Sequence, residues 1–173
     1  CEKPLARNLK DAQEIIEYCK EKGVKLFVGH VVRFFPEYKR AKQIVKEGKI
    51  GKLAVINTKR GGAFPSASKD WYADYKSSGG LVLDLMIHDF DYLRWCFGEV
   101  ERVYAKSAQG RAIAKLDYAL VTLRFESGVI AHLEGTWAHQ NFATKFEMAG
   151  KEGIIQYDSS KVAHLLKRLI KVL

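Results

Sequence analysis

Two carboxylates and an imidazole lie at helical spacing in one of the most apolar stretches of the sequence. Asp84, His88 and Asp91 follow one another at intervals of four and three residues, so in a helix they would share one face over roughly 10 Å. Most of their neighbours are apolar, and a buried carboxylate or imidazole is costly unless a hydrogen-bonding partner or a ligand receives it. Gly79 and Gly80, at the start of this stretch, would let another group approach the backbone closely. The pattern indicates either a polar network satisfied within the core or a functional site, and the glycine pair favours the site.

Residues 1–30 predict a helix followed by a strand. The segment 8–22 has an apolar stripe at helical spacing, with Asn8 suited to the N-cap position and Gly23 suited to end the helix. The apolar segment 25–29 then predicts a short buried strand. Because a helix followed by a buried strand is half of an α/β repeat, we interpret residues 1–30 as the tail end of a Rossmann-type, dinucleotide-binding domain.

The next elements would hold the central polar stripe in place. Pro36 opens a second helix that ends at Gly48, and residues 52–61 alternate as a strand. A long loop with several aromatic residues, 62–78, then leads into a helix over 79–97 that carries the stripe. A loop of this length and composition is typical of an ordered binding segment.

A period of two after the central helix predicts five strands. They lie near residues 100–108, 118–126, 128–138, 142–149 and 153–158. One face of the strand 128–138 is apolar, and the other is mixed, with Ile130, His132, Glu134 and Thr136. Such a mixed outer face is expected of an antiparallel sheet that helices cover on one side only. We therefore predict an α+β fold over residues 31–173, with an open, mainly antiparallel sheet, helices on one face, and a homo-oligomer formed through the other face.

The composition is that of a globular protein with a basic surface. The chain has 173 residues, 47% of them hydrophobic, and a formal net charge of +9. The basic residues are scattered, which is typical of a solvated surface rather than of a nucleic-acid site, although an anionic substrate or cofactor would also be attracted. Three cysteines without CxxC spacing indicate a reducing, cytoplasmic environment and no metal site.

No apolar run has the length of a membrane span. Residues 162–173 combine leucines at helical spacing with interspersed basic residues. We predict a helix that docks on the core of the same chain, the alternative being a helix adsorbed on a membrane surface.

Two motifs of the sequence resemble those of one oxidoreductase family. The first consists of Glu2-Lys3-Pro4, a helix and a short strand ending in Gly29, and then Arg33-Phe34 and Pro36. The second runs from Trp71 to Gly98 and contains Asp74, Gly79, Gly80, Asp84, His88, Asp91 and Trp95. Together they resemble the Gfo/Idh/MocA oxidoreductases, which include glucose–fructose oxidoreductase and inositol dehydrogenase, over residues 1–158.

The resemblance implies a two-domain enzyme that oxidises a sugar or polyol hydroxyl, or reduces the ketone, by hydride transfer with NAD or NADP. By position, Lys3 would contact the substrate hydroxyl near the nicotinamide, Asp84 would bind or orient the substrate, and His88 would be the general acid/base. The other positions carried over are Glu2 and Pro4, with Lys3, on the cofactor side, and Arg33 and Trp71 on the substrate side. We expect no metal ion in this site.

The sequence departs from the family pattern in two places. It contains no GxGxxG motif, which the family places upstream of Glu-Lys-Pro, and Ser78 stands where a third glycine is usual. We therefore interpret the chain as the substrate and catalytic portion of such an enzyme, inactive alone, with its cofactor bound mainly by a separate half. The alternative is a non-catalytic interaction module, in which the sheet serves for dimerisation and the stripe of Asp84 and His88 is idle.

Overall fold

The computed structural model describes residues 1–66, 70–109, 117–161 and 171–172. Its helices are α1 (Leu9–Glu21), α2 (Pro36–Lys46), α3 (Tyr75–Ser78) and α4 (Ile87–Phe97), with 3₁₀ turns at Val31–Phe34 and Ser159–Lys161 and a π-helical segment at Val82–Met86. Its strands are β1 (Leu53–Ala63), β2 (Val100–Gln109), β3 (Asp117–Phe125), β4 (Ile130–Thr136), β5 (Ala138–Gly150), β6 (Ile154–Asp158) and β7 (Lys171–Val172).

The strands form one open sheet in the order β2-β3-β4-β1-β5-β6-β7. Every described pair of neighbours is antiparallel except β1 and β4, which are parallel. The predicted α+β fold with an open, mainly antiparallel sheet is thereby confirmed, and all five strands predicted after the central helix are present. β1 is the first strand in the chain but lies at the centre of the sheet, whereas β2 lies at one edge. The connection between them, which contains α3, the π-helical segment and α4, must therefore cross the sheet.

The helices of this connection pack on the face of the sheet to which the strands contribute a buried residue at every second position. In β3 the residues at alternate positions, Ala119, Val121, Leu123 and Phe125, are all buried. Gly135 of β4 permits close approach of the helix, since a Cβ there would lie 2.5 Å from the Cγ of Met86. Tyr38 of α2 joins the two layers, because its ring lies 5.0 Å from that of Phe146 in β5 and 4.9 Å from that of Tyr92 in α4. The core therefore fixes α4, which carries the polar stripe, against the middle of the sheet.

The N-terminal segment confirms one prediction and corrects another. Helix α1 begins as predicted after Asn8, whose side chain accepts the Asp11 N–H at 2.9 Å. The strand predicted at residues 25–29 is wrong: the segment is extended but has no strand neighbour in the described part of the chain, and the Phe27 side chain is 75% exposed. An apolar run becomes a buried strand only where neighbouring strands pair its amides and cover its side chains. The helix predicted for residues 162–173 lies outside the described residues, except that 171–172 pair with β6 as a strand.

The outer face of the sheet has the register that the alternation predicted. Tyr118, Leu120, Thr122 and Arg124 of β3 lie opposite Thr136, Glu134, His132 and Ile130 of β4. Tyr118, Leu120 and Ile130 are exposed, whereas Thr136 is buried at the end of the row. A Cβ at Gly61 in β1 would lie 2.5 Å from the Thr136 methyl group, so the neighbouring strand covers this threonine. The remaining outer face has the mixed apolar and polar surface that was expected.

Candidate active site

The entry into the central helix is a tight turn built by two glycines and a serine. Gly79 and Gly80 both have positive φ, of 73° and 69°, and a Cβ at Gly79 would lie 2.4 Å from the Cδ2 of Leu83. Ser78 is buried, accepts the Gly80 N–H at 3.0 Å and donates to the Tyr72 carbonyl at 3.2 Å. The serine that departs from the family pattern therefore serves to fix this turn. Only glycine adopts the backbone angles of the next two positions without strain.

A π-helical segment follows this turn and receives Lys3. The Lys3 ammonium donates to Asp84 Oδ1 at 2.8 Å and also to the backbone carbonyl of Asp84. Both side chains are only partly exposed, at 17% and 18%. In a π-helical turn the i→i+5 bonding pattern departs from the α-helical ladder, and such turns are frequent at functional sites. The N-terminal segment and the central helix, which are far apart in sequence, thus meet at one carboxylate.

His88 lies one turn further along, in α4. Its Nδ1 is buried and has no hydrogen-bond partner among the described residues. Burial is the main cause that lowers the pKa of His88 to about 4, and the charges of Arg60 and Lys3 act in the same direction. The imidazole is therefore neutral near pH 7, so one ring nitrogen can accept a proton.

Asp91, the third member of the stripe, has a different set of partners. It accepts a bidentate pair of hydrogen bonds from Arg33, with Nε to Oδ2 at 2.7 Å, and the His30 Nδ1 lies 3.7 Å from its Oδ1. The hydrogen bond to Asp91 raises the pKa of Arg33, whose guanidinium also lies 5.6 Å from the centre of the Trp95 ring. The stripe therefore has two parts, Asp84 with Lys3 and Asp91 with Arg33, and His88 lies between them.

The other residues carried over from the family have contacts with their own neighbours rather than with the carboxylates of the stripe in the described hydrogen bonds and ring contacts. Glu2 packs beside Gly29, where an added Cβ would lie 3.4 Å from the Glu2 carboxylate, and Pro4 follows Lys3 in the same segment. Trp71 is exposed and packs edge-on against Tyr72 at 4.9 Å. Burial first, and then the charge of Asp84, raises the pKa of Tyr72, the residue that follows Trp71.

Sequence reasoning missed the ion pair that fixes the helix to the sheet. Arg60 of β1 donates from Nε to Asp89 Oδ2 at 2.7 Å and from Nη2 to Asp89 Oδ1 at 3.0 Å, and Nη2 also donates to the Tyr38 hydroxyl at 3.1 Å. Because every second residue of β1 faces the core, the alternation would have placed Arg60 there. Nothing in the spacing of the sequence, however, identifies Asp89 as its partner. His30 was also missed, because no periodic pattern connects it with the central helix.

Metal binding and membrane insertion are two further possibilities for the described part of the chain. Its His, Cys, Asp and Glu side chains form no group of three or more that could hold a metal ion. None of its helices has the length and apolar character needed to cross a membrane.

Comparison with known proteins identifies the class to which this fold and site belong. Residues 38–156 match the family model of the GFO/IDH/MocA C-terminal domain. The chain therefore belongs to the Gfo/Idh/MocA oxidoreductase family and carries its C-terminal domain.

Individual relatives match nearly the whole chain. It is 38% identical over 169 residues to myo-inositol 2-dehydrogenase of Thermotoga maritima, covering 92% of this chain and 48% of that protein. It is 30% identical over 178 residues to scyllo-inositol 2-dehydrogenase (NAD(+)) of Bacillus subtilis, covering 95% of this chain and 49% of that protein. The chain thus spans about half the length of the curated relatives that it matches.

Solved structures agree with this assignment. A probable dehydrogenase from Thermotoga maritima superimposes with a TM-score of 0.80 at 34% identity, covering 100% of this chain and 55% of that one. The aldose–aldose oxidoreductase of Caulobacter crescentus gives a TM-score of 0.83 at 24% identity, covering 94% and 49%. At that level of identity the second structure supports the fold alone.

Proposed function

We propose that this chain supplies the substrate-binding and acid–base half of an NAD(P)-dependent oxidoreductase that acts on a sugar or polyol hydroxyl, or on the ketone. The proposal rests on one observation: His88, a half-buried and neutral imidazole, lies one turn from the Lys3–Asp84 pair in the helical stretch that follows the two-glycine turn. A hydroxyl group bound there would meet a base, a cation and a carboxylate. These groups suit alcohol oxidation, since the hydroxyl proton must leave as the hydride departs.

Each side chain has a separate task in this proposal. In the oxidation direction His88 accepts the hydroxyl proton, and in the reduction direction it returns the proton to the same oxygen. The Lys3 ammonium stabilises the negative charge that develops on that oxygen, and Asp84 holds Lys3 and accepts a hydrogen bond from a substrate hydroxyl. The nicotinamide, when bound, supplies the hydride chemistry.

The residues present fit only one side of such a cofactor. We propose that Glu2, Lys3 and Pro4 meet the nicotinamide end, as the family resemblance implies, but the sequence has no glycine-rich loop for the pyrophosphate. Helix α1 has no buried residue, and Phe27 beyond it is also exposed. We therefore assign residues 1–30 to a dinucleotide-binding domain that would cover these apolar side chains, and residues 31–173 to the substrate domain. Accordingly, calorimetric titration of the chain alone with NAD and with NADP should show no micromolar affinity.

A fusion protein provides the direct test of the proposed reaction. The chain is joined to the part of the Thermotoga maritima myo-inositol 2-dehydrogenase that lies outside the matched region, and nicotinamide reduction is followed with a panel of inositols and sugars. His88→Asn should lower kcat by roughly two to four orders of magnitude, as expected for loss of an acid/base. His132→Asn on the outer sheet face is the matched control and should retain activity. A fusion that binds the dinucleotide but stays fully active with His88→Asn would contradict the assignment.

The exposed outer face of the sheet supports a second candidate function, a non-catalytic dimerisation module. Tyr118, Leu120 and Ile130 lie together on this face and leave an apolar patch in water. Two copies stacked about a two-fold axis would bury both patches, and we propose this homo-oligomer for either function. Light scattering should report a dimer or tetramer, and Leu120→Glu with Ile130→Glu should shift it toward the monomer. An inactive fusion that still dimerises would favour the module, and a wild-type chain that stays monomeric would exclude it.

The three cysteines are free. This supports the reducing, cytoplasmic location that we propose.

A further inference from the structure

The ion pair between Arg60 and Asp89 is the most deeply buried charge pair described in the chain. The side chains are only 3% and 5% exposed, and the guanidinium makes two hydrogen bonds to the carboxylate and a third to the Tyr38 hydroxyl. Burying two charges carries a large desolvation cost, and apolar residues of similar volume often stabilise a core as well or better. Stability alone is therefore a weak explanation for the pair, and its position suggests another.

Three carboxylates lie on the helical stretch around His88, and each is paired with its own cation. Asp84 accepts from Lys3, Asp91 accepts from Arg33, and Asp89, the residue directly after His88, accepts from Arg60. The cations come from three separate elements: the N-terminal segment, the 3₁₀ turn and β1. His88 is consequently left without a carboxylate partner, and its Nδ1 has no hydrogen bond among the described residues.

The charged groups that act on His88 differ in sign. Lys3, Arg60 and His30 act to lower its pKa, and Asp89 acts to raise it. Asp89 is the only carboxylate with an opposing effect in this set, and Arg60 occupies both of its oxygens. If Arg60 were removed, a free buried carboxylate would remain next to the imidazole and would favour its protonated form.

We infer that Arg60 is a positioning residue for the acid–base group, because it clamps the turn of α4 that carries His88 to the sheet and offsets the negative charge of Asp89 beside the imidazole. This inference rests on the proposed function only for the role of His88 as the acid/base. The arrangement itself concerns one cation, one carboxylate and one imidazole. It can therefore be measured without cofactor or substrate.

The test is an NMR titration of the imidazole in the chain as it stands. The His88 signals are assigned from their loss in His88→Asn, and the titration midpoint is followed in wild type, Arg60→Met and Arg60→Lys. In Arg60→Met the midpoint should rise by at least about one pH unit, the size expected when a neighbouring cation is lost and a carboxylate is freed. In Arg60→Lys the charge is kept, so the midpoint should stay close to that of wild type.

A double variant keeps the inference testable if Arg60→Met alone does not fold. Arg60→Met with Asp89→Leu leaves no unpaired buried charge, and its midpoint should lie above wild type but below that of Arg60→Met. A folded Arg60→Met or double variant with a wild-type midpoint would overturn the inference, as would equal midpoints for Arg60→Lys and Arg60→Met. Failure of the proposed function would show separately, as a fusion protein that stays active with His88→Asn while the midpoints still shift.

Discussion

The Arg60–Asp89 and Lys3–Asp84 pairs use the same chemistry in different surroundings. Arg60 and Asp89 are almost completely buried and make a bidentate contact, whereas Lys3 and Asp84 keep about a sixth of their side-chain surface in solvent. The buried pair cannot open without leaving a charge in the core, so it acts as a fixed clamp. The partly exposed pair can exchange partners with water or a ligand at small cost. The difference separates a pair that is held closed by its burial from one that can open.

Breaking the buried pair should have the largest effect on stability. Arg60→Met leaves the Asp89 carboxylate without its cation, so the free energy of unfolding should fall by about 3–5 kcal/mol. Urea denaturation followed by circular dichroism measures this loss. Arg94→Met is the matched control, because Arg94 and Glu99 form an exposed pair, and it should change stability by less than about 0.5 kcal/mol. Equal losses in the two variants would show that burial does not distinguish the pairs.

The imidazole between the pairs should make stability depend on pH. The folded state has a His88 pKa of about 4, below the ordinary value of 6.5, so between these values the unfolded chain binds a proton that the folded chain does not. The free energy of unfolding should therefore decrease as the pH falls from 6.5 toward 4. Allowing for partial solvent exposure, the decrease is on the order of 1–2 kcal/mol. Urea titrations at several pH values measure this decrease in the free energy of unfolding. In His88→Asn the free energy of unfolding should depend less on pH between 6.5 and 4. An equal dependence in wild type and variant would contradict the lowered pKa of His88.

Breaking the partly exposed pair should cost the fold least. Lys3→Met removes an ammonium that bridges the Asp84 carboxylate and carbonyl, yet both groups can be solvated, so the loss in stability should be about 1 kcal/mol or less. In the fusion protein the same change should strongly lower kcat, because the cation near the reacting oxygen is lost. A loss of several kcal/mol in the chain alone would make Lys3 as structural as Arg60 and would remove the contrast.

Local signals predicted much of the fold. Asn8 and Pro36 marked the starts of α1 and α2, and the alternation near β3 and β4 fixed which residues face outward. These features depend on a few neighbouring residues, so the sequence shows them directly. The strand prediction for residues 25–29 was wrong because apolar composition does not show whether neighbouring strands are present to pair with the segment.

The site was only partly predictable for the same reason. Spacing brought Asp84, His88 and Asp91 to one side of a helix, and the family resemblance added Lys3. Neither could show that each carboxylate has a separate cation, since those partners come from distant elements. The π-helical segment was also invisible, because its residues have the same apolar pattern as an ordinary helix.

The central position of β1 has a consequence for the order of folding. Val55 pairs with Ile130 on one side and with Ala149 on the other, so the middle of the sheet cannot close until distant parts of the chain have returned to it. Contacts of such long range slow folding, because the entropy of closing a large loop is lost before the contact forms. The helix that carries His88 needs this sheet beneath it, and we therefore expect the site to assemble late. Pulse-labelled hydrogen exchange during refolding should show β1 amides protected no earlier than those of β4.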